Sequence, residues 1–257
     1  MSVLVFDIET VPDLDAGRRL YGLEGLNDED IARAMLHLRR NEAGHEFLPL
    51  HLHRVVAISC VLANHESVRV WSLGEPDAPE AELVKRFYDG LDRYTPDLVS
   101  WNGSGFDLPV LHYRALAHGI SAPRYWETGD GDQSFRWNNY LGRFHWRHLD
   151  LMDVLAGYQP RAAAKLDQVA VLCGFPGKLG MDGSKVFDTW LAGGIGAIRD
   201  YCETDVINTY LVYLRFELMR GKLNPDECDA ATARLKQYLR EENRPHFTEY
   251  LEAWESA

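Results

Sequence analysis

The chain has 257 residues and carries 39 acidic side chains against 27 lysines and arginines, so its formal net charge is −12. This balance argues against a protein that coats duplex DNA through its overall charge. The composition, 46 % hydrophobic and 26 % charged, is typical of a globular protein and excludes a disordered or fibrous chain. The length corresponds to one or two domains, which can bury a core without disulfides or a structural metal.

No feature of the sequence predicts a membrane or secreted protein. The longest apolar run, residues 55–63, is shorter than the roughly 20 residues that a membrane-spanning helix needs. No basic segment precedes the apolar run near Met1, so a secretory signal is not expected. The cysteines form no C-x-x-C pair and are interpreted as small hydrophobic residues: Cys60, Cys173, Cys202 and Cys228. We therefore expect a cytoplasmic protein without a membrane partner.

The first half of the chain predicts the order strand, strand, strand, helix, strand, helix. Runs of β-branched and aromatic residues indicate the strands, and apolar residues at helical spacing indicate the helices. The strands are predicted at 2–9, 54–63, 67–73 and 98–101, and the helices at 79–94 and 107–117, with further helix-favouring residues at 28–40.

The second half is predicted to be mostly helical. Residues 148–155 fit a strand or a helix, and we favour a strand. Beyond Lys165 the pattern is helical, with glycine-rich interruptions at 174–183 and 193–196 and a long helix at 197–220. Glycine and proline within 221–225 end that helix, and 226–257 is again helical. We expect one domain over residues 1–220, with 221–257 as its helical extension.

Two carboxylates follow the apolar start of the first strand. Because side chains alternate along a strand, Asp7 and Glu9 share one face, with Cα atoms about 6.6 Å apart, and can grip divalent ions. The alternative is a strand end that emerges into solvent, but acids are uncommon in strands.

A second acid, Asp107, follows a strand and the glycine-rich turn Asn102-Gly-Ser-Gly. Taken alone, it is better explained as a residue that caps a helix, with Pro109 in the first turn. The turn is no dinucleotide-binding motif, because Leu108 occupies the position of the third glycine.

The long helix supplies a third group. Tyr201, Asp205 and Asn208 lie on one helical face, whereas Glu203 lies on another and is expected to be exposed. An ordinary amphipathic helix with an exposed acid is the alternative for Asp205.

Three segments, in this order, resemble the motifs of the DEDD superfamily of 3'-5' exonucleases: Phe6-Asp-Ile-Glu-Thr10, Asn102-Gly-Ser-Gly-Phe-Asp107 and Tyr201-x-x-x-Asp205. The tyrosine resembles that of the DEDDy branch, and the chain is most similar there to stand-alone bacterial proteins related to the exonuclease domain of family B DNA polymerases. Residues 144–155 and 174–186 are also similar to that group, and the resemblance extends from residue 2 to about 220. It implies an α/β, ribonuclease-H-like fold, a mixed central sheet flanked by helices, that binds two Mg²⁺ or Mn²⁺ ions.

The chemistry of the acids agrees with this resemblance. Oxygen ligands suit Mg²⁺ or Mn²⁺ rather than zinc, and two like charges 4 Å apart repel by about 4 kcal/mol at an effective dielectric constant of 20. Two divalent ions would cancel four carboxylates and stabilise the attacking and leaving oxygens of a phosphoryl transfer. We assign as metal ligands Asp7, Glu9, Asp107 and Asp205. An ordinary tyrosine pKa of about 10 is too high for a general base at neutral pH, so Tyr201 is expected to orient the attacking water.

The resemblance also implies substrate contacts. Thr10 would meet the 3'-terminal nucleotide, with Asn102 and Phe106 lining the cleft, although these residues equally suit a strand end, a turn and core packing. Lys178 and Lys185 are candidate phosphate contacts, or residues of an ordinary solvated loop.

Residues 124–148 interleave cations with aromatic rings, a mixture that suits single-stranded nucleic acid. About half of these rings are expected to fill the core instead. The cations are Arg124, Arg136, Arg143 and Arg147, and the rings are Tyr125, Trp126, Phe135, Trp137, Tyr140, Phe144 and Trp146.

Other acids and histidines are weaker candidates. Asp150 and Asp153 are interpreted as structural, with Asp150 as the replacement ligand if Asp107 lies far from Asp7. Histidine pairs without carboxylate or cysteine neighbours are more often packed or surface residues, which applies to His51 with His53 and to His145 with His148.

The favoured hypothesis is a metal-dependent 3'-5' exonuclease acting on a single-stranded 3' end, with DNA as the preferred substrate. An exoribonuclease of the same superfamily is an alternative that the motifs do not separate from it. A catalytically silent nucleic-acid-binding module is disfavoured because the four acids and Tyr201 are all present. Any polymerase or repair partner is expected to act in trans.

Overall fold

A computed structural model describes residues 2–256 and contains one five-stranded mixed sheet. The strands are β1 (Val3–Pro12), β2 (His53–Ala63), β3 (Val68–Ser72), β4 (Asp97–Ser100) and β5 (His148–Asp150). Their order is β3-β2-β1-β4-β5. The β1–β2 and β2–β3 pairs are antiparallel, whereas the β1–β4 and β4–β5 pairs are parallel. The central strand β1 therefore has neighbours on both sides.

Helices cover both faces of this sheet. They are α1 (Leu14–Tyr21), α2 (Asp28–Ala43), α3 (Glu80–Tyr94), α4 (Asp107–His118), α5 (Leu151–Leu155), α6 (Leu166–Leu172), α7 (Val186–Leu191), α8 (Ile195–Met219), α9 (Pro225–Glu242) and α10 (Pro245–Glu255). Val3 and Val5 pack with apolar residues of α8, α9 and α10, while Leu4, Phe6 and Ile8 pack with α3 and α4. This alternation packs both faces of β1 against helices and confirms the predicted α/β fold, a mixed central sheet flanked by helices.

The predicted elements are present, with two differences. Helix α1 was not predicted, because its eight residues are too few for a periodic pattern to distinguish a helix from a loop. The predicted strand at 148–155 is wrong beyond residue 150, where α5 begins. Asp150 ends the strand by accepting a hydrogen bond from the Asp153 N–H at 3.3 Å, so its side chain caps the new helix.

The C-terminal helices pack closely against α8. Asn224 and Glu227 form a capping box that starts α9, and Phe247 and Tyr250 of α10 are buried. The Tyr250 hydroxyl donates a hydrogen bond to Asn208 Oδ1 on α8, at 2.7 Å. Among residues 2–256, no helix is both long enough and apolar enough to cross a bilayer.

Candidate active site

Four acids predicted from separate segments lie next to one another because three elements meet at β1. Asp7 and Glu9 project from β1, which pairs with β4, and Asp107 begins α4 just after β4. The Ile8 N–H donates a hydrogen bond to Asp107 Oδ1 at 3.2 Å, which ties the start of α4 to the middle of β1. Asp205 lies on α8, which packs against β1. We call Asp7, Glu9, Asp107 and Asp205 the acid cluster.

Three members of the acid cluster are buried and Asp7 is half-buried, and the pKa of every member is raised. Burial is the largest cause of the raised pKa of Asp7, and the negative charges of Asp107, Glu9 and Asp205 raise it further. Burial and the charges of Asp205 and Asp107 likewise raise the pKa of Glu9 well above its ordinary value. Burial raises the pKa of Asp107 to about 7 and that of Asp205 to about 6. Mutual repulsion in a buried site is the physical property expected of carboxylates that share metal ions.

One oxygen of the cluster lacks a partner within the described chain. Asp205 Oδ1 is buried and accepts no hydrogen bond from residues 2–256, although a buried carboxylate oxygen normally has a partner. The donor set is carboxylate oxygen, which hard divalent cations prefer. The residues present therefore fit a divalent metal site.

A cysteine that was predicted only to be a small hydrophobic residue touches the cluster. Cys202 is buried, and its thiol lies 3.5 Å from the Asp7 carbonyl oxygen and 3.6 Å from Asp7 Oδ2. Burial and the charges of Asp7 and Glu9 raise the pKa of the thiol well above its ordinary value, so it stays protonated and donates to Asp7. Its position, one residue after Tyr201 and three before Asp205, is the sequence signal that could have identified it.

Tyr201 lies one helical turn before Asp205 and is only 5 % exposed. Burial and the charges of Asp205 and Glu9 raise the pKa of its phenol above the ordinary range, so the hydroxyl keeps its proton. The Lys178 ammonium lies 5.3 Å from the centre of the Tyr201 ring and lowers the pKa of both Glu9 and Asp205.

Asn208 of α8 holds the segment that carries Lys178. The Asn208 amide donates a hydrogen bond at 2.9 Å to the carbonyl oxygen of Gly177, whose φ of +70° favours glycine. Because Tyr250 holds the other end of the same amide, α10 supports the segment that carries Lys178. Lys185 lies farther along this segment, where its positive charge helps to lower the pKa of Asp182.

The other candidate contacts have packing partners of their own. Thr10 Oγ1 lies 2.9 Å from His53 Nδ1, and the ring of Phe106 lies 5.1 Å from His53 and 5.8 Å from Phe47. Both side chains are partly exposed, so each can touch a ligand and its protein neighbours. Asn102 has a φ of +64° and accepts hydrogen bonds from Gly105 and Phe106 through its carbonyl oxygen.

Asp150 holds the turn that precedes Asp107. Its carboxylate accepts hydrogen bonds from the N–H groups of Asn102 and Ser104, each at 2.9 Å. A Cβ at Gly103 would overlap the Ser100 side chain, so this position requires glycine. Asp107 lies beside β1, and Asp150 therefore has the structural role predicted for it rather than that of a replacement ligand.

The predicted exposure of Glu203 was wrong. Its side chain is 1 % exposed instead of solvated, and it accepts hydrogen bonds from Ser72 at 2.7 Å and His246 at 2.9 Å. Arg244 forms an ion pair with it at 2.7 Å. Glu203 thus binds α10 to α8 and β3.

The segment 124–148 is divided between core and surface. Three rings are buried (Tyr125, Phe135 and Tyr140) and four are exposed (Trp126, Trp137, Phe144 and Trp146). The cations are mostly engaged: Arg147 is buried over Phe135, Arg124 pairs with Asp132, and Arg143 pairs with Asp153. Burial removes Arg147 from the surface that a strand could reach, whereas Arg136 lies on the exposed Trp137.

The two histidine pairs belong to no group of three potential ligands within residues 2–256. His53 lies within hydrogen-bond distance of Thr10, and His145 within that of Asn139. His51 packs on Tyr113, and His148 Nε2 lies 2.9 Å from Ser100 Oγ. These contacts are those of packed and surface histidines.

Comparison with known proteins gives a matching family and similar solved structures. Residues 45–254 match a family described as a predicted 3'-5' exonuclease related to the exonuclease domain of PolB. A search of curated proteins gave no match. The chain is similar in structure to the family B DNA polymerase from the hyperthermophilic archaeon Pyrobaculum calidifontis, with 20 % identity and a TM-score of 0.48. The similarity covers 85 % of this chain and 24 % of the polymerase, so the chain spans about a quarter of that protein.

The family match contains Asp107, Tyr201 and Asp205 but begins after Asp7 and Glu9, whose place in the cluster is known from the geometry of β1. It also continues through α9 and into α10, beyond the limit near residue 220 that the motifs suggested. Because the match covers more than half of the chain, the protein belongs to the family of predicted 3'-5' exonucleases related to the exonuclease domain of PolB.

Proposed function

We propose that the protein is a metal-dependent 3'-5' exonuclease that hydrolyses phosphodiester bonds from the 3' end of single-stranded nucleic acid, with DNA as the preferred substrate. The observation that carries this proposal is the acid cluster, in which the charges of Asp107 and Asp205 help to raise the pKa of Asp7 and Glu9, and Asp205 Oδ1 has no partner within residues 2–256.

In this proposal, two Mg²⁺ or Mn²⁺ ions are held by Asp7, Glu9, Asp107 and Asp205. Such ions supply Lewis-acid stabilisation of the attacking and leaving oxygens. The chain supplies the geometry: the Ile8 N–H fixes Asp107, and the Cys202 thiol fixes Asp7. A preorganised site of this kind needs little rearrangement during the reaction.

Tyr201 positions the attacking water. Its protonated phenol can donate a hydrogen bond but cannot remove a proton at neutral pH, because its pKa lies above the ordinary value. The proposal therefore gives Tyr201 an orienting role beside Asp205.

Substrate binding is assigned to the surroundings of the cluster. Thr10, Asn102 and Phe106 are the proposed contacts of the 3'-terminal nucleotide, and Lys178 is the proposed phosphate contact. Lys185 keeps a proposed role farther along the strand. Unpaired bases can stack on the exposed rings of the 124–148 segment, which supports a single-stranded substrate.

The proposal is tested with 5'-labelled single-stranded DNA, RNA of the same sequence and duplexes, each incubated with Mg²⁺, Mn²⁺ or EDTA. We expect a ladder of products shortened one nucleotide at a time from the 3' end of single-stranded DNA, and none in EDTA. A faster ladder with RNA would instead identify an exoribonuclease.

A matched pair of variants connects activity to the cluster. Asp205→Asn should lose at least about 100-fold in rate, whereas Asp229→Asn, an exposed acid on α9, should match the wild type. Folded protein without products from any substrate, or full activity of Asp205→Asn, would reject the proposal.

A further inference from the structure

A cleft of about 480 Å³ lies beside the Asn102–Gly105 turn. Its walls are formed by α4, by the segment that contains Tyr140 and Arg143, and by the start of α5. None of the four acids lines it, yet the turn that forms one wall leads directly into Asp107. The cleft is therefore a separate site that shares a wall with the proposed active site. Its volume lies within the range of pockets that bind small ligands, about 300 to 1,000 Å³.

The polar groups of the cleft disfavour an anionic occupant. Asp150 and Asp153 both contribute to its lining. The cation beside them, Arg143, is already bound to Asp153 by hydrogen bonds of 2.7 and 2.8 Å. A phosphate would meet two carboxylates and an engaged guanidinium, so the charge of the lining suits a neutral ligand.

The remaining lining suits a flat ring with hydrogen-bonding edges. Leu108 and Met152 line the cleft with apolar side chains, and behind them Tyr125 and Tyr140 stack on each other, with ring centroids 5.7 Å apart, and are nearly fully buried. His112 also lines the cleft, and its buried Nε2 has no hydrogen-bond partner among residues 2–256. Burial lowers the pKa of His112 to about 4, so the imidazole is neutral and has one donor and one acceptor nitrogen. Nucleobases are recognised by this combination of apolar or aromatic surface and edge hydrogen bonds.

We propose that this cleft is an accessory base-binding pocket, which takes one unpaired nucleobase of the bound strand at a fixed distance from the 3' end. His112 hydrogen-bonds to the edge of that base, and Leu108 and Met152 contact its faces. The inference rests on the proposed exonuclease function and adds a position-specific contact outside the acid cluster.

The test measures binding separately from hydrolysis. Full-length Asp205→Asn protein with Mg²⁺ is titrated with single-stranded DNAs that carry the fluorescent base 2-aminopurine, or an abasic residue, at successive positions from the 3' end. We expect a saturable change of 2-aminopurine fluorescence at one position, and about tenfold weaker binding when that position is abasic.

His112→Phe in the same background keeps a ring against Tyr125 and Trp126 but removes the hydrogen bond. It should abolish the preference for that position while leaving the others unchanged. The matched control is His51→Phe, whose ring packs on the exposed Tyr113, and it should keep the preference. His112→Asn, which retains a polar side chain, should give an intermediate preference; thermal unfolding identifies any variant that fails to fold.

Free 2-aminopurine deoxynucleoside monophosphate serves as the second arm. If it binds with an affinity that depends on His112 while the strands show no preferred position, the pocket holds a released mononucleotide and the inference is overturned. Equal binding by all abasic strands also overturns it. These results would leave the exonuclease proposal intact, since wild-type hydrolysis is scored separately. A position-specific, His112-dependent signal without hydrolysis would instead retain the pocket and reject the exonuclease.

Discussion

Asp107 is a residue whose ionisation opposes folding unless a cation compensates it. Its pKa of about 7 in the folded chain lies above the ordinary value of about 3.9. The unfolded chain therefore loses its proton first as the pH rises, and stability falls between about pH 4 and pH 7. Below that range both states are protonated, and the group has no effect.

We predict that Asp107→Asn raises stability in EDTA at pH 8 by on the order of 1 to 3 kcal/mol, with little effect at pH 4. The amide oxygen can still accept the hydrogen bond from Ile8. Urea unfolding at both pH values measures the difference. Mg²⁺ at millimolar concentration should remove the advantage of the variant at pH 8, and an equal pH dependence of both proteins would contradict the prediction.

A variant of Tyr201 tests the proposal that its hydroxyl orients the attacking water and does not remove a proton from it. We predict that Tyr201→Phe lowers kcat by about 10- to 100-fold and changes KM by less than threefold, because only the hydroxyl that positions the water is lost. Tyr213→Phe, farther along α8, should match the wild type. Steady-state hydrolysis of labelled single-stranded DNA at varied substrate concentration gives both constants, and an unchanged kcat for Tyr201→Phe would refute the orienting role.

Elements with a strong period were predictable from the sequence. The alternation of β1 correctly predicted that Asp7 and Glu9 share a face, and the helical spacing correctly predicted that Tyr201 and Asp205 share one face of α8, where their side chains form a hydrogen bond. The local pattern did not separate strand from helix at Asp150, because residues 148–155 fit both; the change comes from the Asp150 side chain, which caps α5 and is held by two N–H groups of a distant turn.

The burial of Glu203 could not be predicted from its own helix, for a related reason. An acid on a helix is usually exposed, and its partners, Ser72 and His246, lie far from it along the chain. Burial alone would raise the pKa of Glu203, but the hydrogen bonds from His246 and Ser72 and the charge of Arg244 lower it. A lowered pKa means that the contribution to stability is present above the unfolded-state pKa of about 4.3 and is lost at more acidic pH.

We predict that Glu203→Gln lowers the free energy of unfolding by about 2 to 4 kcal/mol at pH 7, because it leaves Arg244 without its buried partner. The loss should shrink at pH 4, below the unfolded-state pKa of about 4.3, because protonation of this carboxyl in the unfolded chain offsets part of the stabilisation. Urea unfolding at both pH values tests this, with the exposed Glu249→Gln on α10 as the control. A loss of equal size at both pH values would show that the charge is not its cause.

The charge of −12 limits how the whole molecule binds a polyanion. Each phosphate contact to a single strand contributes about −0.7 to the slope of log K against log salt concentration. Since Arg124 and Arg143 have acidic partners and Arg147 is buried, we predict a shallow slope, no steeper than about −2.

Fluorescence anisotropy of a labelled strand with Asp205→Asn protein, from 50 to 300 mM salt, measures this slope. Adding Lys178→Ala should make it less steep by about one contact, whereas adding Lys185→Ala should change it less. A slope near −5 would reveal a basic surface that the described residues do not provide.

We propose that the helices after residue 220 belong to the same domain as the rest of the chain. Phe247, Tyr250 and the α9 residues Leu235 and Leu239 are all buried against other elements. Removing residues 223–257 would expose the apolar surface that these helices cover. The free energy lost by exposing it exceeds the about 5 to 15 kcal/mol by which a typical domain is stable.

We predict that the chain shortened in this way shows no cooperative thermal transition by circular dichroism. Adding residues 223–257 as a separate peptide should restore the transition, since the buried contacts would reform. A sharp transition of the shortened chain alone would show that residues 1–222 fold by themselves.

The hydrogen bond from Tyr250 to Asn208 has a consequence for biosynthesis. Translation proceeds from the N-terminus, and α10 leaves the ribosome after β1, α4 and α8. Until then, the Asn208 side chain that donates to the Gly177 carbonyl lacks the hydrogen bond from Tyr250 to its amide oxygen. The segment that carries Lys178, a proposed phosphate contact, thus gains its full support only after α10 has docked on α8.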